Sequence, residues 1–255
     1  FYVRYFGNPS SIYQEGREAR NVVEETRKKI AKIINALPEE IIFTSGGTEG
    51  NNLAIFGASR NHFKKAAGHI IASKIEHPSV LNVVKELEKR GLQATHLNVD
   101  RLGVINPGEL KNSLRKDTIL VSIICANHEI GTIQPIQEIA KIIHEFNKTN
   151  QANVLFHIDA CQAGNYLDLD VKKLGVDLMT INGSKLYGPK GAGFLFVRKG
   201  LNLQPLFYGG EQEKPRRSQK NQSESREAHR KTRIPPRGRN RLPLHLAHVR
   251  GQDYR

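Results

Sequence analysis

The sequence predicts an α/β fold built on a mostly parallel β-sheet. From residue 15 to 200, stretches with helical periodicity alternate with short, β-branched apolar runs, which is the pattern of βα units. With 255 residues, 38% of them hydrophobic, the chain is long enough to bury a substantial core. No run approaches the roughly 18 consecutive apolar residues that a membrane span requires. We therefore expect a globular domain that does not enter a membrane.

Helical periodicity predicts five helices. Pro78 and Pro135 stand in first turns, where the missing N–H costs nothing, and Gly91 follows a run that ends there as a helix would. The predicted helices cover residues 14–35, 50–66, 78–90, 107–115 and 135–148.

Apolar runs rich in β-branched residues predict seven strands, and helical crossovers between them would build one large sheet. "TILVSIICA" at 118–126 is typical of a strand buried on both faces. The chain shows no internal repeat. The predicted strands cover residues 40–44, 69–73, 93–99, 118–126, 153–160, 177–182 and 191–198.

Most of the net charge of +14 belongs to the C-terminal end. Residues 214–255 contain 13 Lys and Arg against 3 Asp and Glu, which accounts for +10. This segment has little apolar surface to offset the entropy of ordering, so we expect a domain over 1–213 and a basic, disordered tail over 214–255. A nucleic-acid-binding arm is the alternative, but the tail has a single aromatic residue, Tyr254, for stacking, so a nucleic-acid partner is not expected.

The cysteines and the N-terminus indicate a cytoplasmic protein. Cys125 and Cys161 are too few for a disulfide framework and wrongly spaced for a zinc site. The opening "FYVRYFGNPSS" lacks the order of a signal peptide. Because the chain begins with Phe1 rather than Met, we expect that its first residues are missing.

A glycine-rich loop between a strand and a helix is the first candidate site. In "IIFTSGGTEGNNLAIFGAS", Gly47 and Thr48 stand where free backbone N–H groups at a helix N-terminus would meet a phosphate. An ordinary N-cap and tight turn is the alternative. The loop is not a Walker sequence, because no Gly-Lys-Ser/Thr follows.

A second candidate is the acid at the end of the strand "NVLFHIDA". Asp159 closes a buried strand, so its charge requires a cationic partner or a metal. A metal site would need more regularly spaced ligands than Asp159 and His157, and such a pair is more often structural. Asp159 is therefore expected to face a positively charged ligand atom.

The lysine in "NGSKLYGPKGAG" completes the set. Lys185 follows the next strand, and parallel topology would bring it to the same sheet edge as Asp159 and the glycine loop. A Schiff-base lysine, an acid for a pyridine nitrogen and donors for a phosphate are what pyridoxal 5′-phosphate requires. We predict this cofactor and no metal.

Seven collinear motifs resemble the NifS/IscS-type cysteine desulfurases of the class V aminotransferase fold. The resemblance extends from residue 6 to about 214 and implies a three-layer α/β/α large domain of the pyridoxal-phosphate transferase type. The motifs are "FGNPSS" (6–11), "FTSGGTEGNNLAI" (43–55), "EHPSVL" (76–81), "ANHEIGTIQP" (126–135), "HIDACQAGN" (157–165), "GSKLYGPKGAG" (183–193) and "YGGEQE" (208–213).

The resemblance also implies roles for individual residues. Lys185 would bind the cofactor covalently and later shuttle protons, and Asp159 would pair with the pyridine nitrogen. His77 would stack on the ring and serve in acid–base steps. Gln162 would donate to the phenolic oxygen, while Gly47 and Thr48 would hold the phosphate. Without the family context, His77 reads as a helix-capping or packed histidine.

Two motifs depart from the family pattern. The family usually has Asn-Asn-Glu where this chain has "NHE", so His128 presents an imidazole to the cofactor or substrate instead of an amide. The family commonly has Ser-x-His-Lys where this chain reads "NGSK", so Asn182 and Ser184 would replace an imidazole contact to the phosphate. We expect weaker retention of the cofactor.

The resemblance further implies that two parts of the family fold are absent, an opening Asp-Asn-Ala-Ala-Thr-Thr-like segment and the C-terminal small domain. That domain carries the nucleophilic cysteine and the arginine that binds the substrate carboxylate. Neither Cys125 nor Cys161 corresponds to that nucleophile, so we expect the chain to be inactive alone. The abrupt change after Glu213 suggests a tail that is translated out of frame.

The activity implied is that of a cysteine desulfurase, which converts L-cysteine to L-alanine. Its sulfur would pass through an enzyme persulfide toward iron–sulfur cluster assembly or tRNA thiolation, in a homodimer that meets a sulfur-acceptor scaffold protein. Another class V enzyme, such as a selenocysteine lyase or an aminotransferase, is one alternative. A non-catalytic remnant with a basic arm is the other.

Overall fold

The computed structural model describes residues 5–63, 68–209, 213 and 218–219. The chain divides into two compact units, Phe1–Lys220 and Asn221–Arg255, and all elements described below belong to the first. Of the predicted tail, only Ser218 and Gln219 are described, and they pair with Phe207 and Tyr208. The rest of the tail and the predicted helical residues 64–66 lie outside the described residues.

The seven predicted strands form one sheet in the order β1-β7-β6-β5-β4-β2-β3. β7 is antiparallel to both of its neighbours, and the other pairings are parallel. The prediction of a mostly parallel sheet is confirmed, but β7 returns directly from β6 without a helical crossover. The strands are β1 (Ile41–Thr44), β2 (His69–Ser73), β3 (Gln93–Leu97), β4 (Thr118–Ile124), β5 (Leu155–Asp159), β6 (Leu178–Asn182) and β7 (Gly193–Val197).

The five predicted helices are also present. A sixth, Val171–Leu174, was not predicted because its single turn is too short to show periodicity. His77 and Asn106 cap the two helices that begin with proline, and Gly91 follows one of them with φ 92°. The helices are α1 (Gln14–Ile33), α2 (Gly47–Phe63), α3 (Pro78–Lys89), α4 (Pro107–Ser113), α5 (Ile136–Asn150) and α6 (Val171–Leu174).

Two apolar clusters place the helices in layers on both faces of the sheet. One cluster contains buried residues of α2 and α3, such as Leu53 and Val84. The other contains residues of α1, α4, α5 and α6, such as Leu110 and Ile139. The three-layer α/β/α prediction is therefore confirmed. No helix in the described ranges is both long and apolar enough to cross a membrane.

The topology brings several loops to one edge of the sheet. β2, β4, β5 and β6 run in the same direction, so their carboxyl ends meet at this edge. The carboxyl end of β1 lies at the same edge, because β1 is antiparallel to β7 and β7 is antiparallel to β6. Every residue for which the sequence predicts a site role lies at the carboxyl end of one of these five strands or in the segment that follows it.

His157 has a structural place in the sheet. Its Nδ1 lies 2.8 Å from Ser122 Oγ and its Nε2 lies 3.0 Å from Thr180 Oγ1, so both ring nitrogens have partners. Burial lowers the pKa of His157 to about 4, which keeps the ring neutral. His157 thus joins three strands.

Among the described residues no cluster of three or more His, Cys, Asp or Glu side chains could hold a metal ion.

Candidate active site

A cavity of about 180 Å³ opens at the carboxyl edge of the sheet. It brings together eight of the nine predicted site residues; Ser184 is the exception. Ser184 instead directs its hydroxyl to Asn182 Oδ1 at 3.1 Å. The lining residues are Gly47, Thr48, Asn51, His77, Ser79, Ile124, Ala126, His128, Asp159, Cys161, Gln162, Asn182 and Lys185.

A larger cavity of about 520 Å³ opens at the opposite edge of the sheet and contains none of the predicted residues. Its acidic residue, Asp117, is exposed and already paired with Arg115 at 2.6 Å. We therefore locate the chemistry in the smaller cavity, where buried polar groups converge.

The N-terminus of α2 forms one wall of this cavity. A Cβ at Gly47 would lie 2.7 Å from Cys161 Sγ, so this position requires glycine. Gly46, just before the helix, has φ 145°, a conformation that other residues rarely adopt. The first backbone N–H groups of a helix lack intrahelical partners and favour an anion. The geometry therefore fits a phosphate at Gly47 and Thr48.

Asp159 places a negative charge at the inner end of the cavity. Its side chain is buried, at 4% exposure. Its Oδ1 accepts a hydrogen bond from Cys161 N at 3.0 Å, and its Oδ2 accepts one from Asn51 Nδ2 at 2.7 Å. No ion pair within the described part of the chain involves Asp159. A buried carboxylate without a protein cation is suited to a cationic ligand atom.

Lys185 ends a short 3-10 turn, Gly183–Lys185, that follows β6. The turn is held by close backbone approaches, since a Cβ at Gly183 would lie 2.8 Å from Ala192 O. Asn165 Nδ2 anchors the Lys185 carbonyl at 3.0 Å. The side chain is exposed and lines the same cavity as Asp159, so the amine, the acid and the helix N-terminus surround one space.

Two histidines complete the cavity wall. His77 caps α3 and accepts a hydrogen bond from Ser79 N at its Nδ1, 3.1 Å away. The ring of His128 lies edge-on to that of His77, with centroids 5.2 Å apart and planes at 66°. The imidazole that replaces the family's amide therefore lies beside the predicted stacking histidine.

Comparison with known proteins agrees with this geometry. Residues 1–233 match the family model described as "Aminotransferase class-V". The chain belongs to the class-V aminotransferase family. The family resemblance drawn from the sequence motifs is confirmed.

Individual relatives of this class-V chain carry more specific names. It is 52% identical to "Cysteine desulfurase IscS" of Dictyoglomus turgidum over 213 residues, which cover 84% of this chain and 52% of the relative. It is 48% identical to the protein of that name from Methanosarcina thermophila, covering 84% and 51%. The solved structure "SspA in complex with cysteine" matches with a TM-score of 0.78 and 39% identity, covering 82% of this chain and 59% of that one. The chain thus spans about half the length of the curated relatives that it matches.

Four cavity-side residues of this class-V domain were not predicted from the sequence. Asn51, Ser79 and Cys161 line the cavity, and Glu76 lies immediately before His77. The available signals were the polar pair Asn51 and Asn52 in α2 and an acid three residues after the buried strand β2. Both lie within the motifs 43–55 and 76–81.

Glu76 is the most unusual of these residues. Its side chain is buried, at 3% exposure. Its Oε1 accepts hydrogen bonds from Ile124 N at 2.8 Å and from Ser73 Oγ. Its buried Oε2 has no partner among the described residues. Burial raises the pKa of Glu76 to about 8, and the nearby charge of Asp159 contributes. This carboxyl group is therefore mostly protonated at neutral pH.

The two thiols are expected to resist alkylation in the folded class-V domain. Burial raises the pKa of Cys125 to about 12 and that of Cys161 well above its ordinary value, with Asp159 adding to both shifts. Since the thiolate is the nucleophile, Cys125 should react with iodoacetamide at pH 8 about 1000-fold more slowly than a free cysteine. Mass spectrometry of native and urea-unfolded protein will measure this. Rapid labelling of native Cys161 would contradict the raised pKa of its thiol.

Proposed function

We propose that this chain binds pyridoxal 5′-phosphate in the cavity at the carboxyl edge of the sheet. Lys185 would hold the cofactor covalently, Asp159 would face its pyridine nitrogen, and Gly47 and Thr48 would receive its phosphate. The observation that supports this proposal is the buried carboxylate of Asp159, which forms no ion pair with any described residue and shares its cavity with an exposed lysine amine. A carboxylate for the pyridine nitrogen, an amine for the covalent bond and backbone N–H groups for the phosphate are the three groups that this cofactor requires.

The remaining predicted residues would complete the cofactor site. Gln162 would donate to the phenolic oxygen, and His77 would stack on the ring. His128 would contact the cofactor oxygen or the substrate. Asn182 and Ser184 would stand near the phosphate, with Asn182 Oδ1 already accepting from Ser184 N at 3.2 Å. Because Ser184 N and Ser184 Oγ both donate to Asn182 Oδ1, donors that could otherwise serve the phosphate are engaged, which supports the expectation of weaker cofactor retention.

We further propose that the chain is the cofactor-binding part of a cysteine desulfurase that converts L-cysteine to L-alanine and passes sulfur through an enzyme persulfide. Relatives named cysteine desulfurase and a structural neighbour solved in complex with cysteine support this assignment. Iron–sulfur cluster assembly or tRNA thiolation would use the sulfur. A cytoplasmic homodimer with a sulfur-acceptor scaffold is proposed on the same basis, and two free thiols fit a reducing compartment.

The side chains divide the catalytic tasks. The bound cofactor would supply an electron sink that makes the α-proton of an amino acid labile. The amine of Lys185, an exposed side chain that lines the cavity, would take up and return that proton. His77, whose Nδ1 is occupied by Ser79, would exchange protons at Nε2. A thiol outside Cys125 and Cys161 would accept the sulfur, because both of these have raised pKa values.

A titration of the purified chain with pyridoxal phosphate tests this proposal. We expect a visible absorption band to appear and borohydride to fix the cofactor onto the peptide that contains Lys185. Lys185→Ala should lose both signals, while Lys190→Ala, an exposed lysine of the same loop, should keep them. A wild-type chain that stays colourless with added cofactor would favour the non-catalytic remnant.

A further inference from the structure

A continuous series of hydrogen bonds joins Asp159 to His77 along the cavity. Asn51 Nδ2 donates to Asp159 Oδ2 at 2.7 Å and to Ser79 Oγ at 2.8 Å. Ser79 Oγ in turn lies 2.8 Å from His77 Nδ1. All four residues line the cavity. The carboxylate proposed to face the pyridine nitrogen and the imidazole proposed to stack on the ring are therefore connected through the side chains of Asn51 and Ser79.

The direction of each hydrogen bond can be assigned. The Asn51 amide nitrogen carries two hydrogens, and both are used, one on the carboxylate and one on the hydroxyl. Ser79 Oγ accepts one of them, so its own hydrogen remains for His77 Nδ1. That nitrogen also accepts from Ser79 N at 3.1 Å. Since Nδ1 accepts twice, the neutral ring carries its proton on Nε2.

The burial of Asn51 indicates that its orientation is set by these hydrogen bonds. Asn51 is 0% exposed, and its Oδ1 is buried with no partner among the described residues. The reversed amide orientation would place that oxygen against the Asp159 carboxylate. The amide therefore leaves one acceptor unsatisfied while it keeps both donors engaged, which a merely packed position would not require.

Helix capping does not account for the whole series. His77 caps α3 by accepting the hydrogen bond from Ser79 N, and this contact needs neither the Ser79 hydroxyl nor Asn51. The bonds from Asn51 link α2 and β5 to the cap without closing any turn of α3.

We propose that Asn51 and Ser79 are positioning residues that couple the Asp159 carboxylate to His77 and keep that imidazole as a donor at Nε2. The roles of Asp159 and His77 rest on the proposed function, whereas the coupling itself is a property of the protein without cofactor. Through this coupling, a change of charge at the pyridine nitrogen would alter the hydrogen bonding of the stacked imidazole.

Nitrogen NMR of the cofactor-free chain labelled with ¹⁵N-histidine tests the coupling. His77→Gln assigns the two ring signals. We expect the Nδ1 signal to report an unprotonated, hydrogen-bonded nitrogen, and Ser79→Ala and Asn51→Leu to shift it in the same direction. Asp159→Asn should shift it when Asn51 is present and leave it in place in the Asn51→Leu background. An equal shift in both backgrounds, or no shift in either, would overturn the proposal.

Matched variants separate positioning from folding. Ser59→Ala removes a buried hydroxyl of α2 that donates to Ile55 O at 2.7 Å, and should leave the His77 signals unchanged. Ser79→Thr keeps the hydroxyl and should restore the wild-type signal. If Asn51→Leu does not fold, Ser79→Ala breaks the same series one bond later and should equally abolish the effect of Asp159→Asn.

A cofactor titration distinguishes this inference from the proposed function. Asn51→Leu should weaken pyridoxal phosphate binding about tenfold or more, the effect of losing one hydrogen bond to a charged group. Coupling without any cofactor binding would refute the proposed function and leave the coupling intact. Cofactor binding that Asn51→Leu does not weaken, together with absent coupling, would refute this inference alone.

Discussion

Replacing Asp159 with asparagine will weaken pyridoxal phosphate binding about 100-fold or more, the loss expected when one partner of a buried charge pair is removed. The variant is nearly isosteric, but its side chain has only one acceptor oxygen. It therefore cannot accept from both Asn51 Nδ2 and Cys161 N, which the carboxylate does at 2.7 and 3.0 Å. The cofactor would lose its counter-charge, and one buried donor would lose its acceptor. Absorbance titration of the cofactor-free protein measures the dissociation constant.

Asp177→Asn is the matched control for this experiment. Asp177 is also buried, at 5% exposure, and its two oxygens accept from Phe156 N at 2.8 Å and Arg198 Nε at 2.6 Å. It immediately precedes β6, whereas Asp159 ends β5, so it lies at the opposite edge of the sheet from the cavity. The control should lower the free energy of unfolding without changing cofactor affinity. If Asp159→Asn bound the cofactor as tightly as the wild type, the assigned partner of the pyridine nitrogen would be wrong.

The sequence could predict the fold because its strong signals are local. Each of the seven strands is a short apolar run between helical stretches, and Pro78 and Pro107 begin helices where proline is tolerated. The return of β7 beside β6 was not predictable, since the apolar run of an antiparallel strand buried on both faces looks the same as that of a parallel one. α6 is one turn long, and a single turn has no period to detect.

The sequence predicted those candidate site residues whose residue type alone indicates a chemical task. Gly47, Asp159 and Lys185 stand at strand ends, and parallel topology alone brings strand ends together. Asn51 and Ser79 could not be found this way, because their role depends on which atoms face each other across α2, α3 and β5. Ser184 remains a predicted phosphate contact, and its hydroxyl bonds locally to Asn182, as short polar side chains often do.

Replacing Glu76 with glutamine will remove a large part of the pH dependence of stability. The pKa of Glu76 rises from the ordinary 4.5 to about 8 in the folded protein, so the native state binds this proton more tightly than the unfolded chain. Its stabilising effect is fully present below about pH 4.5 and is lost as the pH rises through about 8. The free energy of unfolding should fall by up to about 5 kcal/mol across this window, at about 1.4 kcal/mol per pH unit. Urea unfolding of wild type and variant from pH 4.5 to 8.5 will measure the difference.

Glutamine keeps the acceptor for Ile124 N and Ser73 Oγ, so the variant should fold and lose only the titration. Glu86→Gln makes the same chemical change on the exposed face of α3, where the carboxylate lies 2.9 Å from Arg90, and should leave the wild-type slope almost unchanged. Asp159→Asn should shorten the window, because the charge of Asp159 helps to raise the pKa of Glu76. A constant difference in the free energy of unfolding between wild type and Glu76→Gln at every pH would show that Glu76 has the same pKa in the folded and unfolded states. In that case Glu76 would be ionised at neutral pH, and a second buried negative charge would act near Asp159 that a pyridine cation alone could not balance.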